Sequence, residues 1–174
     1  MNLNKFNSLT DLFFYQAEKQ NPKSIFLEWL NPKNKKKLTW EETSSNIYKL
    51  AKILKANIND GERCLLVSEN RPEWLISDLA IMLANGITVP AYTTYTENDY
   101  KYLIEDCQPS TIIVSNNDMH NKLKNTIAEK DFIKKVITFD KIQTDDYKNK
   151  YLDFNSITKN NLQESDKIKN SSLK

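Results

Sequence analysis

Cys64-Leu65-Leu66-Val67, Ile87-Thr88-Val89, Thr111-Ile112-Ile113-Val114 and Val136-Ile137-Thr138-Phe139 are four short apolar runs whose first residues lie 23, 24 and 25 positions apart. They are rich in β-branched residues and do not alternate with polar ones, the pattern of strands buried on both faces of a parallel sheet. Helical spacing fills the gaps. After the first run, Pro72 sits in an opening turn, Leu75, Ile76, Leu79, Ala80, Met82 and Leu83 give a wide apolar stripe, and Gly86 is placed at the left-handed position that ends the helix. After the second, Thr96 and Asp99 form a capping box ahead of Tyr100, Leu103, Ile104 and Cys107. After the third, Asn117 or Asp118 caps a weaker helix with Met119, Leu123 and Ile127. Short connections between such elements give parallel strands with right-handed crossovers. The fold class is α/β: a partial doubly wound parallel sheet, β-α-β-α-β-α-β.

A helix, a β-hairpin and a second helix precede it. Ser8 with Asp11 caps a helix bearing Leu9, Leu12, Phe13 and Ala17, which Asn21-Pro22 ends. Ser24 to Leu30 and Lys36 to Thr39 flank a polar turn and read as a hairpin, with Lys33, Lys35, Lys36 and Lys37 as its solvated tip. Thr39 with Glu42 opens a helix carrying Ile47, Leu50, Ala51 and Leu54, and Asn59-Asp60-Gly61 turns into the first parallel strand. From Asp140 onward the pattern weakens: Tyr147, Tyr151, Phe154 and Ile157 give a marginal helix, and Ser165 to Lys174 has almost nothing to bury. The expected organisation is one domain over 1–142 and a polar linker or tail over 143–174.

Composition excludes several functions. The 174 residues carry 25 Lys+Arg against 23 Asp+Glu, net +2, and the only arginines are Arg63 and Arg71. Bidentate reading of phosphates or guanine edges has little to work with, so no nucleic acid partner is expected. Gly61 and Gly86 are the only glycines, too few for a dinucleotide fingerprint or a phosphate-cradling loop. Cys64, Cys107 and the single histidine, His120, do not make a zinc site of usual spacing, and any triad would need His120, which lies in a polar stretch. Neither a metal site nor a catalytic residue is expected. The first six residues lack an apolar segment and no run approaches 18 apolar residues, so a cytoplasmic protein is expected.

In an open parallel sheet ligands approach the carboxyl ends of the strands. That rule selects Ser68 to Trp74, Pro90 to Thr96 and Ser115 to His120. The second is the most suggestive: Tyr92, Thr93, Thr94, Tyr95 and Thr96 are five consecutive hydroxyl side chains before a helix start, with rings able to stack on an adenine. A plainer reading of the same residues makes Thr96 a cap and packs Tyr92 and Tyr95 over the sheet edge. Glu69 and Glu73 lie across a helix start and do not form an acid–base pair.

Gly61-Glu62-Arg63-Cys64-Leu65-Leu66-Val67-Ser68-Glu69-Asn70-Arg71-Pro72-Glu73-Trp74, followed by Gly86-Ile87-Thr88-Val89-Pro90-Ala91-Tyr92-Thr93-Thr94-Tyr95-Thr96, resembles the N-terminal region of AMP-forming acyl-CoA synthetases, in particular the long-chain fatty acid–CoA ligases of the adenylate-forming superfamily. Leu38-Thr39-Trp40-Glu41-Glu42, Tyr102-Leu103-Ile104-Glu105-Asp106-Cys107 and the run at Thr111 continue it, over residues 8 to 142. The resemblance implies a ligase that adenylates a fatty acid with ATP and Mg2+ and then transfers the acyl group to coenzyme A (CoA). It also implies a peripheral membrane contact. The phosphate loop, the nucleotide-holding acidic and arginine residues and the C-terminal lysine of that family are not in this sequence. The resemblance therefore implies an N-terminal fragment, not catalytic alone and holding no cofactor itself. It places Tyr92, Thr93, Thr94, Tyr95 and His120 towards the CoA side, with His120 and Lys122 standing where relatives use arginine. The rival expectations are a stand-alone, non-catalytic binding module and one chain of a split synthetase. An unpartnered sheet edge is expected to favour self-association.

Overall fold

The four apolar runs become strands of a five-stranded sheet in the computed structural model, which describes residues 5–31, 35–143 and 150–159. Three of them are central, while the run at Ile87, expected to be buried on both faces, is a partly exposed edge strand. The elements run α1 (Leu9–Lys19), β1 (Ile25–Leu30), β2 (Lys35–Thr39), α2 (Trp40–Lys55), β3 (Arg63–Val67), α3 (Pro72–Leu83), β4 (Ile87–Ala91), α4 (Glu97–Cys107), β5 (Thr111–Val114), α5 (Asn117–Glu129), β6 (Lys135–Thr138), β7 (Tyr151–Asp153) and α6 (Phe154–Lys159). The hairpin β1–β2 is antiparallel. Strands β4-β3-β5-β6-β7 form one parallel sheet in that order.

Continuous apolar runs suit the central strands β3, β5 and β6 because both of their faces are covered. Cys64, Leu66, Ile113 and Ile137 point into a core shared with residues of α2, α3 and α6. Leu65, Val67, Ile112, Val114 and Val136 point the other way, against Tyr100 and Ile104 of α4 and Leu123 and Ile127 of α5. Burial at both layers is what the hydrophobic effect rewards most strongly, at about 25 cal/mol per Å² of apolar area.

Several local readings are corrected. Gly86 does not occupy the left-handed position after α3; Asn85 does, at φ 62°. The Asn85 N–H donates to Met82 O (3.0 Å) and the Gly86 N–H to Ile81 O (2.9 Å), the paired bonds of a Schellman motif. Gly86 is required one residue later for space, since a Cβ there would lie 2.8 Å from Ile58 Cδ1 and 3.0 Å from Ile81 Cγ2. Helix α5 is capped by Asn116, whose side chain accepts from the Met119 N–H at 3.0 Å. Asn117 Oδ1 is instead engaged by the Gln143 N–H at 3.1 Å. The capping boxes at Thr39–Glu42 and Thr96–Asp99 form as expected.

The stretch after 142 departs most from its reading. Tyr151–Asp153, expected to lie in a marginal helix within a linker, is the fifth strand, paired in parallel with β6. Three residues are too few to show a period, yet Tyr151 packs into one core layer and Leu152 into the other. Phe154 and Ile157 of α6 then close over Phe139 and α2. Tyr147 and the segment 165–174 lie outside the described residues.

The outer edge of the sheet is blunted. The Ile87 N–H donates to Glu62 O (2.9 Å), so in this ladder residues 87, 89 and 91 turn their backbone groups to β3, whereas Thr88 and Pro90 turn theirs outward. Pro90 has no N–H to offer a partner strand, a common protection of edges. Among the described residues no helix is long and apolar enough to cross a membrane.

Candidate functional site

Strand order locates the ligand edge. Strand β4 lies on one side of β3 and β5 on the other, so the chain reverses its direction of winding between β3 and β5. Ligands of such sheets sit outside the carboxyl ends near this switch. Both glycines lie at the opposite end: Gly61 precedes β3, Gly86 precedes β4, and the Gly61 N–H donates to Asn85 O at 2.7 Å.

The loops at the carboxyl edge are drawn together by backbone bonds. The Ser115 N–H donates to Val67 O (3.0 Å) and the Asp140 N–H to Ser115 O (2.9 Å), linking the ends of β3, β5 and β6. Ser115 is fully buried and its hydroxyl has no partner among the described residues. On this frame stand two polar regions.

The first surrounds Arg71, which sequence reading left without a role. Its side chain is only 6% exposed. Nε donates to Glu73 Oε2 (2.9 Å), and Nη1 and Nη2 reach Asp140 Oδ2 (3.1 Å) and Oδ1 (3.0 Å). The guanidinium stacks 4.7 Å from the Trp29 ring centre and 5.4 Å from that of Phe139. Lys36 Nζ completes the cluster at 2.6 Å from Glu73 Oε1, so Lys36 is not part of a solvated tip. Burial opposes ionisation of both Arg71 and Glu73. The bonds between them, with Asp140 and Lys36, outweigh it, raising the Arg71 pKa and holding the Glu73 carboxyl below its ordinary value. An open cleft of about 270 Å³ beside this cluster is walled by Trp29, Lys36, Phe139 and Asn155. No periodic signal announces such a cluster, because its members come from the hairpin, α3 and the end of β6.

The second is the turn Tyr92 to Tyr95 after β4. Its own bond, Tyr95 N–H to Tyr92 O, is 3.3 Å long. The buried Tyr100 hydroxyl also donates to Tyr92 O, at 2.7 Å, and burial pushes its pKa up to about 12. Lys122 Nζ reaches across from α5 to Thr93 O (2.9 Å) and Tyr95 O (3.0 Å). Thr96 is tied by its capping box. Three turn carbonyls are thus taken, while the Thr93 and Thr94 amides donate to no described residue. The Tyr92 ring is 72% exposed and packs edge-on to Tyr95, which packs on Tyr100. The turn presents donors, hydroxyls and a ring to solvent.

His120 is placed differently from the polar surface position its neighbours suggest. It is 3% exposed, its Nε2 lies 2.9 Å from the Tyr151 hydroxyl, and its Nδ1 has no partner. Burial, with Lys124 nearby, lowers its pKa. The spacing His120, Leu123, Ile127 places it on the inward face of α5, a signal present in the sequence. Lys122, not His120, joins the Tyr92–Tyr95 turn.

These residues fit some groups and not others. With Gly61 and Gly86 at the amino ends of their strands, no glycine-rich loop stands at the carboxyl edge to cradle a triphosphate. Among the described residues no three His, Cys, Asp or Glu side chains converge as metal ligands. The turn instead offers the Thr93 and Thr94 amides, which meet no described acceptor, and the exposed Tyr92 side chain, with Lys122 Nζ beside them.

A parallel sheet of this order, with helices on both faces and a reversal of winding beside β3, defines an α/β domain of the doubly wound class. The sequence profile described as AMP-binding enzyme matches residues 13–172, and the chain belongs to that family. A long-chain-fatty-acid–CoA ligase of Bacillus subtilis (strain 168) is 35% identical over 79 residues, 45% of this chain and 14% of the relative. The human mitochondrial acyl-coenzyme A synthetase ACSM3 is 26% identical over 133 residues, 72% of this chain and 22% of that protein. The crystal structure of the anthranilate CoA ligase AuaEII in complex with anthranoyl-AMP superposes with a TM-score of 0.77 at 17% identity, covering 91% of this chain and 30% of that one. The chain thus spans less than a third of the length of each of these relatives.

Proposed function

We propose that these residues form the opening section of an AMP-forming, long-chain fatty acid–CoA ligase, and that the turn Tyr92, Thr93, Thr94, Tyr95 with Lys122 faces its CoA. In that reading ATP, Mg2+ and the fatty acid are handled by polypeptide beyond this section, and the ligase works in the cytoplasm with at most a peripheral membrane contact. The observation that carries the CoA assignment is the exposed turn whose carbonyls are spent on Lys122 and Tyr100 while its donors remain open. Such a surface attracts an acceptor-rich, anionic ligand. The name of the Bacillus subtilis relative supports the long-chain substrate. His120, buried on α5 against Tyr151, is assigned to the CoA side with the turn in this reading, through the packing of α5 and not through an exposed imidazole.

Two measurements test the proposal. The 174-residue chain given ATP, Mg2+, a long-chain fatty acid and CoA is expected to release no AMP; sustained release would overturn the assignment of chemistry to residues beyond it. CoA titrated onto the chain is expected to shift the Thr93, Thr94 and Tyr95 amide resonances first. Shifts confined to other segments would remove the turn from the CoA side.

A further inference from the structure

We infer that Lys122 is a positioning residue, a cationic clamp from α5 that holds the Tyr92–Tyr95 turn in its ligand-ready form before any ligand arrives. Its functional consequence rests on the CoA reading of that turn; the clamp itself does not.

The turn is poorly held by its own bonds. It contains no glycine or proline from Tyr92 to Tyr95, and its internal N–H to C=O contact is 3.3 Å, longer than the usual 2.9–3.0 Å. Thr94 and Tyr92 are exposed, so side-chain burial fixes little there. What remains are bonds from outside. Lys122 Nζ bridges the carbonyls of Thr93 and Tyr95, two residues apart in the same turn, and so ties its two limbs to each other and to α5. Tyr100 holds the third carbonyl from α4. Among the described residues no carboxylate pairs with Lys122, unlike Lys101, Lys130 and Lys134, each of which has an acidic partner. Its charge is therefore committed to backbone dipoles, and two of its three donors are used. Hydrogen bonds from a charged donor are the stronger kind, and two of them are enough to decide whether a short turn stays closed.

This gives Lys122 a role other than direct contact with a phosphate. An ammonium that has bonded two carbonyls keeps one N–H for a ligand, and withdrawing it would free the turn.

The test is amide hydrogen exchange on the full chain, read at Tyr95, whose N–H is protected only while the turn is closed. Lys122→Met keeps the length of the side chain and removes its charge and donors. Both charged bonds are lost in that variant, and exchange at Tyr95 is expected to speed up at least about tenfold. Lys122→Arg, which keeps charge and donors, should return it to near the parent rate, and Lys124→Met, an exposed lysine on the same helix, should leave it unchanged. Should K122M lose the native circular-dichroism spectrum, K122Q, shorter and uncharged, is read in the same way. Exchange within twofold of the parent in K122M, or equal acceleration in K124M, overturns the clamp. CoA titration of the same variants separates the two ideas. Faster exchange with weaker CoA binding supports both; faster exchange with unchanged CoA affinity supports the clamp and overturns the CoA reading.

Discussion

The Arg71 cluster and the Tyr92–Tyr95 turn stand at the same edge of the same sheet, and they use polar groups in opposite ways. Around Arg71 every strong donor meets a protein acceptor: Glu73 and Asp140 neutralise the guanidinium, Lys36 closes on Glu73, and Trp29 and Phe139 stack on the guanidinium. The cluster is finished without a ligand. At the turn three carbonyls are consumed from behind, by Tyr100 and Lys122, while the Thr93 and Thr94 amides meet no described acceptor and Tyr92 and Thr94 are exposed. The contrast shows that position at the carboxyl edge is not sufficient for a site. A group whose partners are already in the fold serves as a tie, and one with unmet donors can serve a ligand.

Breaking the tie should cost most. Arg71→Leu leaves Glu73, itself 4% exposed, with Lys36 as its remaining partner. Removing one member of a buried ion pair costs about 3–5 kcal/mol when the other is left uncompensated, so with Lys36 in place the loss should lie at or below the low end of that range. Urea unfolding should show that loss, and a midpoint unchanged from the parent would mean the cluster contributes nothing. The proton linkage of Glu73 sharpens the same point. Its pKa in the folded chain is held below the ordinary value near 4.5, so its contribution is complete above that pH and is lost as pH falls through the lower folded value. The stability gap between the parent and Glu73→Gln, followed by denaturant titration at several pH values, should be widest near neutrality and narrow below about 4.5. A gap independent of pH would remove the ionic explanation.

On the turn side the effects should be small in stability. Tyr100→Phe removes one donor from Tyr92 O and should cost about 1 kcal/mol. Tyr92→Ala, at an exposed ring, should stay within about 0.5 kcal/mol of the parent. If thermal melts instead show Tyr92→Ala as damaging as Arg71→Leu, the distinction between tie and open site fails.

Much of this was legible in the chain. The capping boxes at Thr39 and Thr96 depend on residues three apart, and both formed. The four apolar runs needed only continuity and spacing. Other features were present in the text but outweighed: Asn85 before Gly86 is also able to take a left-handed conformation, and His120 keeps step with Leu123 and Ile127 although its neighbours are polar. Strand β7 gave no usable period in three residues, and was recognisable only from the β6 edge that it pairs with.

The sequence by itself determined the parallel α/β layering, because strands buried on both faces must be apolar throughout and the helices between them must carry one apolar face. It also determined that these 174 residues carry two glycines, fewer than a glycine-rich phosphate-cradling loop uses. Only the tertiary structure decided which polar residues are tied to one another and which keep groups without a described partner. Arg71 meets Asp140 across 69 positions and Lys122 meets Thr93 across 29. Hydrogen bonds and ion pairs depend on ångström-scale approach, and periodicity within a helix or strand carries no information about partners that distant along the chain.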